Sequence, residues 1–312
     1  MPKSRPSLNP LCLLGDSWSF ARKQPVLWDI LLWLLVLPAI LLSLFDAYWP
    51  ESEIASNQQI GQIGYGLAQV LIAFVSFWGF CCVLLVGRRQ IVNRAGRSRT
   101  SFRSVRRESL RLIIPVFVTS LLRSFGIFYW SLLYILAAGA FVFTSALCHD
   151  AILNGVQPFL HALDAENALL GQRVLSRVLS ACGTAFLLLP LLLPAVLYAL
   201  RTIFFPVAVA ADDLRYREAL RRSRQIIRGK FWATMSSLVG LSVLVFVPAY
   251  IVTLAMELLP VAAPWFDVVR IVIEDSANAT AAFFFTLASI QLYGKLSKGK
   301  KDGPEEVIPG EM

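Results

Sequence analysis

The chain has 312 residues, of which 57% are hydrophobic and 16% charged, with a mean hydropathy of +0.64. A soluble domain carries about 45–50% apolar and about 25% charged residues, so this composition excludes an ordinary water-soluble globule and predicts an all-α integral membrane protein. The formal net charge of +9 would suggest a nucleic-acid partner in a soluble protein. In a chain with long apolar runs it reads instead as the Lys/Arg bias of cytosolic loops, and no nucleic acid is expected.

Residues 1–24, with Lys3, Arg5, Arg22 and Lys23, read as a basic cytosolic lead-in, because the apolar run around Leu11–Leu14 is too short for a secretory signal. A transmembrane domain over 25–293 follows, with six spans at 26–48, 63–87, 125–147, 178–202, 232–256 and 272–293. Residues 294–312 read as a flexible cytosolic tail. The third span needs a decision, since Leu112 to Leu147 is apolar except for Arg123. As one helix it would run about 54 Å against about 30 Å of hydrocarbon. A break near Ser124–Phe125–Gly126 is therefore expected, with 101–122 lying on the inner surface and Arg123 reaching inner headgroups.

Charge orients this layout. The N-terminus, 88–111, 201–230 and the tail hold 25 of the 29 Lys and Arg residues. The intervening segments carry Asp46, Glu51, Glu53, Asp150, Asp164, Glu166 and Asp267 instead. Both termini and the basic loops are expected in the cytosol, with 46–62, 148–176 and 257–270 outside.

Two basic segments have helical period. Over 213–228, Leu214, Ala219, Leu220 and Ile227, with Tyr216, share an apolar flank, while Arg217, Arg221, Arg224 and Arg228 recur at spacings of four, three and four. Asp212 and Asp213 suit the start of that helix and Gly229 its stop. "RRESLR" at 106–111 matches "YREALR" at 216–221, with Arg103, Arg107 and Arg111 recurring every fourth residue beside Phe102, Val105 and Ser109. The pattern predicts two cytosolic amphipathic interfacial helices and a span–elbow–span unit used twice in parallel. The seven arginines are candidate lipid-headgroup residues, with anionic lipids of the bilayer as partners and membrane-protein partners left open.

The order Pro194, Leu200-Arg201, Phe205-Pro206, Val209, Ala219-Leu220-Arg221-Arg222-Ser223 and Arg228-Gly229, with "QLYGKL" at 291–296, resembles a group of bacterial six-span proteins. These are the membrane region of some glycerophosphoryl diester phosphodiesterases and the YciC-like inner-membrane proteins. The resemblance covers about 20–295 and implies a six-span fold in the cell inner membrane with no established activity. Such proteins often carry an acidic residue soon after the Pro-aliphatic stretch; here Asp212 and Asp213 are slightly displaced candidates. The catalytic barrel of the phosphodiesterases has no counterpart in this chain.

Nothing signals an enzyme or a cofactor. There is no GxSxG, P-loop or GxGxxG motif, and His149 and His161, even with Asp150 and Asp164, lack a third fixed metal ligand and read as solvated loop residues. "NAT" at 278–280 lies in a span and is discounted as a glycosylation acceptor. Cys81 and Cys82 read as packing residues, and a Cys148–Cys182 disulfide is left open. Of the intramembrane features, Pro38, Pro190, Pro194 and Pro248 read first as kinked packing, and Glu274-Asp275 as the interfacial start of span six. The alternative makes Pro190, Pro194, Pro248, Glu274 and Asp275 a transport site. The expected function is thus a non-enzymatic multi-pass protein organising lipids or partners at the inner surface, against the alternative of a small transporter.

Overall fold

The computed structural model describes residues 8–48, 58–92, 101–160, 189–259 and 264–301. Among them every regular element is helical: α1 Pro10–Lys23, α2 Val26–Tyr48, α3 Gln58–Val92, α4 Phe102–Leu160, α5 Leu193–Arg201, α6 Phe205–Asp212, α7 Tyr216–Ile227, α8 Phe231–Glu257 and α9 Pro264–Lys301. Six helical stretches are long and apolar enough to cross a membrane: Val26–Tyr48, Ile63–Arg89, Phe102–Ala140, Pro190–Asp212, Phe231–Glu257 and Trp265–Ser297. The chain divides into two compact units, Met1–Ser120 with Thr202–Met312, and Leu121–Arg201.

In the larger unit α9 is the central helix, packing against α1, α2, α3, α7 and α8. Its buried face runs through Ala281, Leu287, Ala288, Leu292 and Tyr293. Lipid tails are as apolar as leucine, so helix association here depends on close fit and on directional bonds more than on the hydrophobic effect. Close fit is visible where α3 meets α2. Residues Leu31–Val36 form a π-helical stretch just before Pro38, whose missing N–H interrupts the regular ladder. Gly79 lies against that stretch, and a Cβ there would come within 2.8 Å of both the Leu34 Cβ and its carbonyl oxygen. Hydroxyls inside the spans mostly return to the preceding turn, as Thr119 does to the Pro115 carbonyl at 2.6 Å and Thr234 to that of Lys230 at 2.9 Å.

Within the lead-in, residues Pro10–Lys23 form the helix α1. Asn9 caps α1 by accepting from the Leu11 N–H at 3.0 Å, and Pro10 occupies the first turn, where its missing donor costs nothing. Leu13, Ser17 and Ala21 recur every fourth residue and are fully buried. Ser237 donates to the Leu8 carbonyl at 2.6 Å, Lys295 pairs with Asp16 at 2.9 Å, and the Trp18 ring packs on Phe284. An Asn-Pro cap followed by that period was the available signal; counting apolar length alone hid it.

Three expectations are corrected. First, no break occurs at Ser124–Phe125–Gly126, because α4 is continuous from Phe102 to Leu160. A helical glycine costs only about 1 kcal/mol relative to alanine, too little to end a long apolar helix. Within the smaller unit Gly126 makes room for the Tyr198 hydroxyl, and Arg123 donates to the Ala199 carbonyl at 3.1 Å in the last turn of α5. Arg123 thus meets a helix C-terminus, where a cation is favoured, rather than only headgroups. Second, 205–211 is a buried helix and not part of a surface loop. Third, α9 begins at Pro264, so Glu274 and Asp275 lie about 15 Å inside it and are no helix start.

The packing of Gly79 leads to a test. Gly79→Ala should destabilise the protein by about 1–3 kcal/mol through overpacking. Gly64→Ala, whose Cβ would meet nothing within 4 Å, should be neutral or slightly stabilising. Cys81 and Cys82 are fully buried, so in a background lacking Cys12, Cys148 and Cys182 their reaction with a thiol dye reports the unfolding temperature in detergent.

Candidate functional site at the basic end

Basic residues of the larger unit cluster at the end of α3, the start of α4, along α7 and at the end of α9. Arg89 pairs with Glu108 at 2.8 Å, linking the end of α3 to the start of α4, and Ser104 supports the same carboxylate at 3.2 Å. Ser109 is buried between them, accepting from the Trp78 indole at 2.8 Å and lying 3.1 Å from the Cys82 sulfur.

The second basic segment is anchored more elaborately. Asp212 ends α6, and its Oδ2 accepts from the hydroxyl of fully buried Tyr293 at 2.7 Å and from Arg222 Nε at 3.0 Å. The Phe204 ring meets Tyr293 edge-on at 5.9 Å, and the Phe204 N–H donates to Ser223 Oγ at 3.1 Å. Asp212 therefore bonds across the fold instead of capping the basic helix, which begins at Tyr216 rather than at 213. Asp213 adopts the left-handed conformation with φ 56°, as does Tyr216 with φ 49°. Asp tolerates that region, whereas a ring-bearing residue there costs on the order of 1–3 kcal/mol and persists only where its surroundings hold it. Gly229, at φ 84°, ends the segment as its residue type predicts.

These anchors sort the arginines. Ala219, Leu220, Ser223, Ile226 and Ile227 are buried on α7, which packs on α6 and α9. Arg217, Arg221, Arg224 and Arg228 are exposed, while Arg222 is held half-buried by Asp212. On α4, Val105, Ser109, Leu112 and Val116 are buried and Arg103, Arg107 and Arg111 exposed. Of the apolar flank expected on the second segment, Ala219, Leu220 and Ile227 are buried in protein, Leu214 is half-buried and Tyr216 is exposed. The two copies also differ: the first runs without interruption into its span, whereas the second stops at Gly229 before α8 begins.

Two cavities open at this end. One of about 320 Å³ is lined by Trp78, Arg103, Arg106, Arg107 and Leu110. Another of about 340 Å³ brings Arg88, Arg111 and Arg215 together with Glu108 and Asp213 over an apolar wall that includes Leu112, Pro115 and Val209. Arg88 and Arg215 are residues that sequence reasoning passed over, since nothing in their local pattern distinguishes them.

The residues of the alternative transport set are divided between the two units. Pro190 and Pro194 belong to the smaller unit, and Pro248, Glu274 and Asp275 to the larger. Pro248 faces an apolar groove of about 730 Å³ bordered by Leu11, Trp18, Val252 and Thr280, which the acidic pair does not line. Glu274 Oε1 and Asp275 Oδ2 are buried without a hydrogen-bond partner among the described residues. No group of three or more potential metal ligands occurs among the described residues. His161 and Cys182 lie outside them, and for Cys148 and His149 only the backbone, within α4, is described.

No family model, curated protein or solved structure matches this chain, so the family resemblance rests on its motif residues alone. The structure does bring several of those together, since Arg222, Ser223 and Tyr293 all meet around Asp212 and Phe204.

The cluster makes a graded prediction. Tyr293→Phe removes one hydrogen bond and should cost about 1 kcal/mol. Asp212→Ala leaves a buried hydroxyl and a half-buried guanidinium without their acceptor and should cost about 2–4 kcal/mol. Unfolding monitored at Cys81 and Cys82 should order the variants so; equal losses would remove Asp212 from its central place.

Proposed function

We propose that this is a non-enzymatic multi-pass protein of the cell inner membrane, with its basic end and both termini in the cytosol, that gathers anionic lipids around that end. The observation that carries the reading is the outward stripe of Arg217, Arg221, Arg224 and Arg228 on a helix whose opposite face is buried in protein. Because α6 and α9 cover that apolar face, α7 does not act as a wedge in the acyl region. Its contribution is a positive layer at headgroup depth, next to a leaflet whose anionic lipids attract about 1 kcal/mol per basic residue. Four such residues supply at most about 4 kcal/mol, and the attraction weakens with salt. The Lys/Arg bias of the loops supports the orientation, and the exposed Arg103, Arg107 and Arg111 extend the same layer.

Replacing Arg217, Arg221, Arg224 and Arg228 with glutamine keeps helix propensity and leaves Arg215, Arg222 and Lys230 to direct insertion. The variant should insert normally but retain markedly less phosphatidylglycerol and cardiolipin through a mild purification. Its remaining lipid should also be less sensitive to salt. Retention and salt response equal to the parent's would overturn the reading.

One observation favours a second reading, a small transporter: Glu274 and Asp275 present buried carboxylate oxygens without hydrogen-bond partners inside a membrane-spanning helix. On that reading, reconstituted protein carries a proton- or cation-dependent flux that Asp275→Asn abolishes. Absence of any such flux from folded, reconstituted protein excludes it.

A further inference from the structure

We propose that the cavity framed by Arg88, Arg111 and Arg215 is a discrete site for one phosphate-bearing lipid headgroup. The inference rests on the basic end facing the headgroups, and it adds a stoichiometric site to what is otherwise a diffuse positive layer. The three arginines come from the end of α3, the first turns of α4 and the turn before α7. A topology signal requires only that these charges lie on one side of the membrane; it does not require three distant arginines to line the same cavity of about 340 Å³.

Their pairing sets them apart. Neighbouring Arg89 and Arg222 are each neutralised by a carboxylate, Glu108 at 2.8 Å and Asp212 at 3.0 Å. Among the described residues, Arg88, Arg111 and Arg215 form no ion pair within 4.0 Å. Glu108, though it borders the cavity, is already engaged by Arg89 and Ser104. The cavity is thus lined by three arginines and by one carboxylate, Asp213, that has no ion pair among the described residues. Guanidinium forks match the oxygens of a phosphate or a carboxylate, and a bound anion relieves the mutual repulsion of arginines that line one cavity. Leu112, Pro115 and Val209 supply an apolar wall that inorganic phosphate would leave unused but that the glycerol and first acyl carbons of a phospholipid would cover.

The turn that delivers Arg215 and Asp213 is bracketed by two left-handed residues, Asp213 and Tyr216. A relaxed helix start would not need Tyr216 in that conformation. Here the turn sets Asp213 and Arg215 on the same cavity.

The test titrates phosphatidylglycerol into the full-length, delipidated protein and reads the one-to-one adduct by native mass spectrometry. Arg111→Gln with Arg215→Gln should weaken that adduct about tenfold or more. The stripe variant, with Arg217, Arg221, Arg224 and Arg228 as glutamine, should keep the adduct while losing bulk lipid retention. Asp213→Asn, which suits the left-handed position and removes the repelling carboxylate, should tighten binding. Unchanged affinity in the double variant, or loosened binding in Asp213→Asn, overturns the site. So does loss of the adduct in the stripe variant as complete as in the double variant, because the cavity would then not be distinct. If inorganic phosphate binds as tightly as the phospholipid with the same dependence on Arg111 and Arg215, the lipid assignment is overturned in favour of a soluble phosphate. A stripe variant with unaltered bulk retention counts against the surface layer alone, since the one-to-one adduct is read separately. Protection of Cys81 and Cys82 from a thiol dye serves as the folding control. Should the double variant fail it, Arg88→Gln and Arg215→Gln carry the test singly, and unchanged affinity in both overturns the site.

Discussion

Asp212 sits where three parts of the chain must agree. Its carboxylate ends α6, receives the buried Tyr293 hydroxyl from α9 and holds Arg222 of α7. Most other contacts in the larger unit are between apolar surfaces, and in a membrane such surfaces gain little by choosing one another over lipid. Directional bonds therefore carry an unusual share of the register. With Asp212 and the Phe204–Ser223 bond in place, the rotation of α7 is set. Arg222 turns inward and Arg217, Arg221, Arg224 and Arg228 turn out. The left-handed residues on either side of 214–215, Asp213 and Tyr216, are held because the elements flanking the turn are tied from both sides.

Close approach does the complementary work within the membrane. Gly79 admits the π-helical stretch of α2, and Gly87 admits the Ile290 side chain of α9, whose branched end would lie 2.7 Å from an added Cβ. Gly240 admits Pro10 in the same way, so the amino-terminal helix rests on the bundle instead of trailing from it. Lys295 and Asp16 then tie α1 to the basic end of α9. Small residues allow the contact and a few polar bonds orient it, which is how helices associate where water is absent.

The arginines divide into structural groups that composition merges. Arg89, Arg222 and Arg123 are bound to protein acceptors. The α7 stripe and Arg103 and Arg107 face outward. Arg88, Arg111 and Arg215 line one cavity. Losing the acceptor of a paired, half-buried charge is costly, whereas a charge on the surface interacts weakly and responds to salt. The arginines thus differ in what lies within a few ångströms of them.

Composition and run length were enough to establish an all-helical chain with six segments able to span a membrane, because crossing hydrocarbon constrains length and polarity regardless of tertiary detail. The period of 213–228 placed Arg217, Arg221, Arg224 and Arg228 on one side, since helical geometry alone sets residues four, three and four apart on one face, and all four are exposed. The unbroken α4 and the buried 205–211 segment were misjudged, each because its state depends on what packs against it. Asp212 looked like a helix cap and proved to be the acceptor for Tyr293, 81 positions away. Arg88, Arg111 and Arg215 carried no shared local pattern at all. Local sequence encodes period, length and charge; only the folded chain decides which distant charges meet, because that follows from packing between helices whose contacts leave no periodic trace in any one of them.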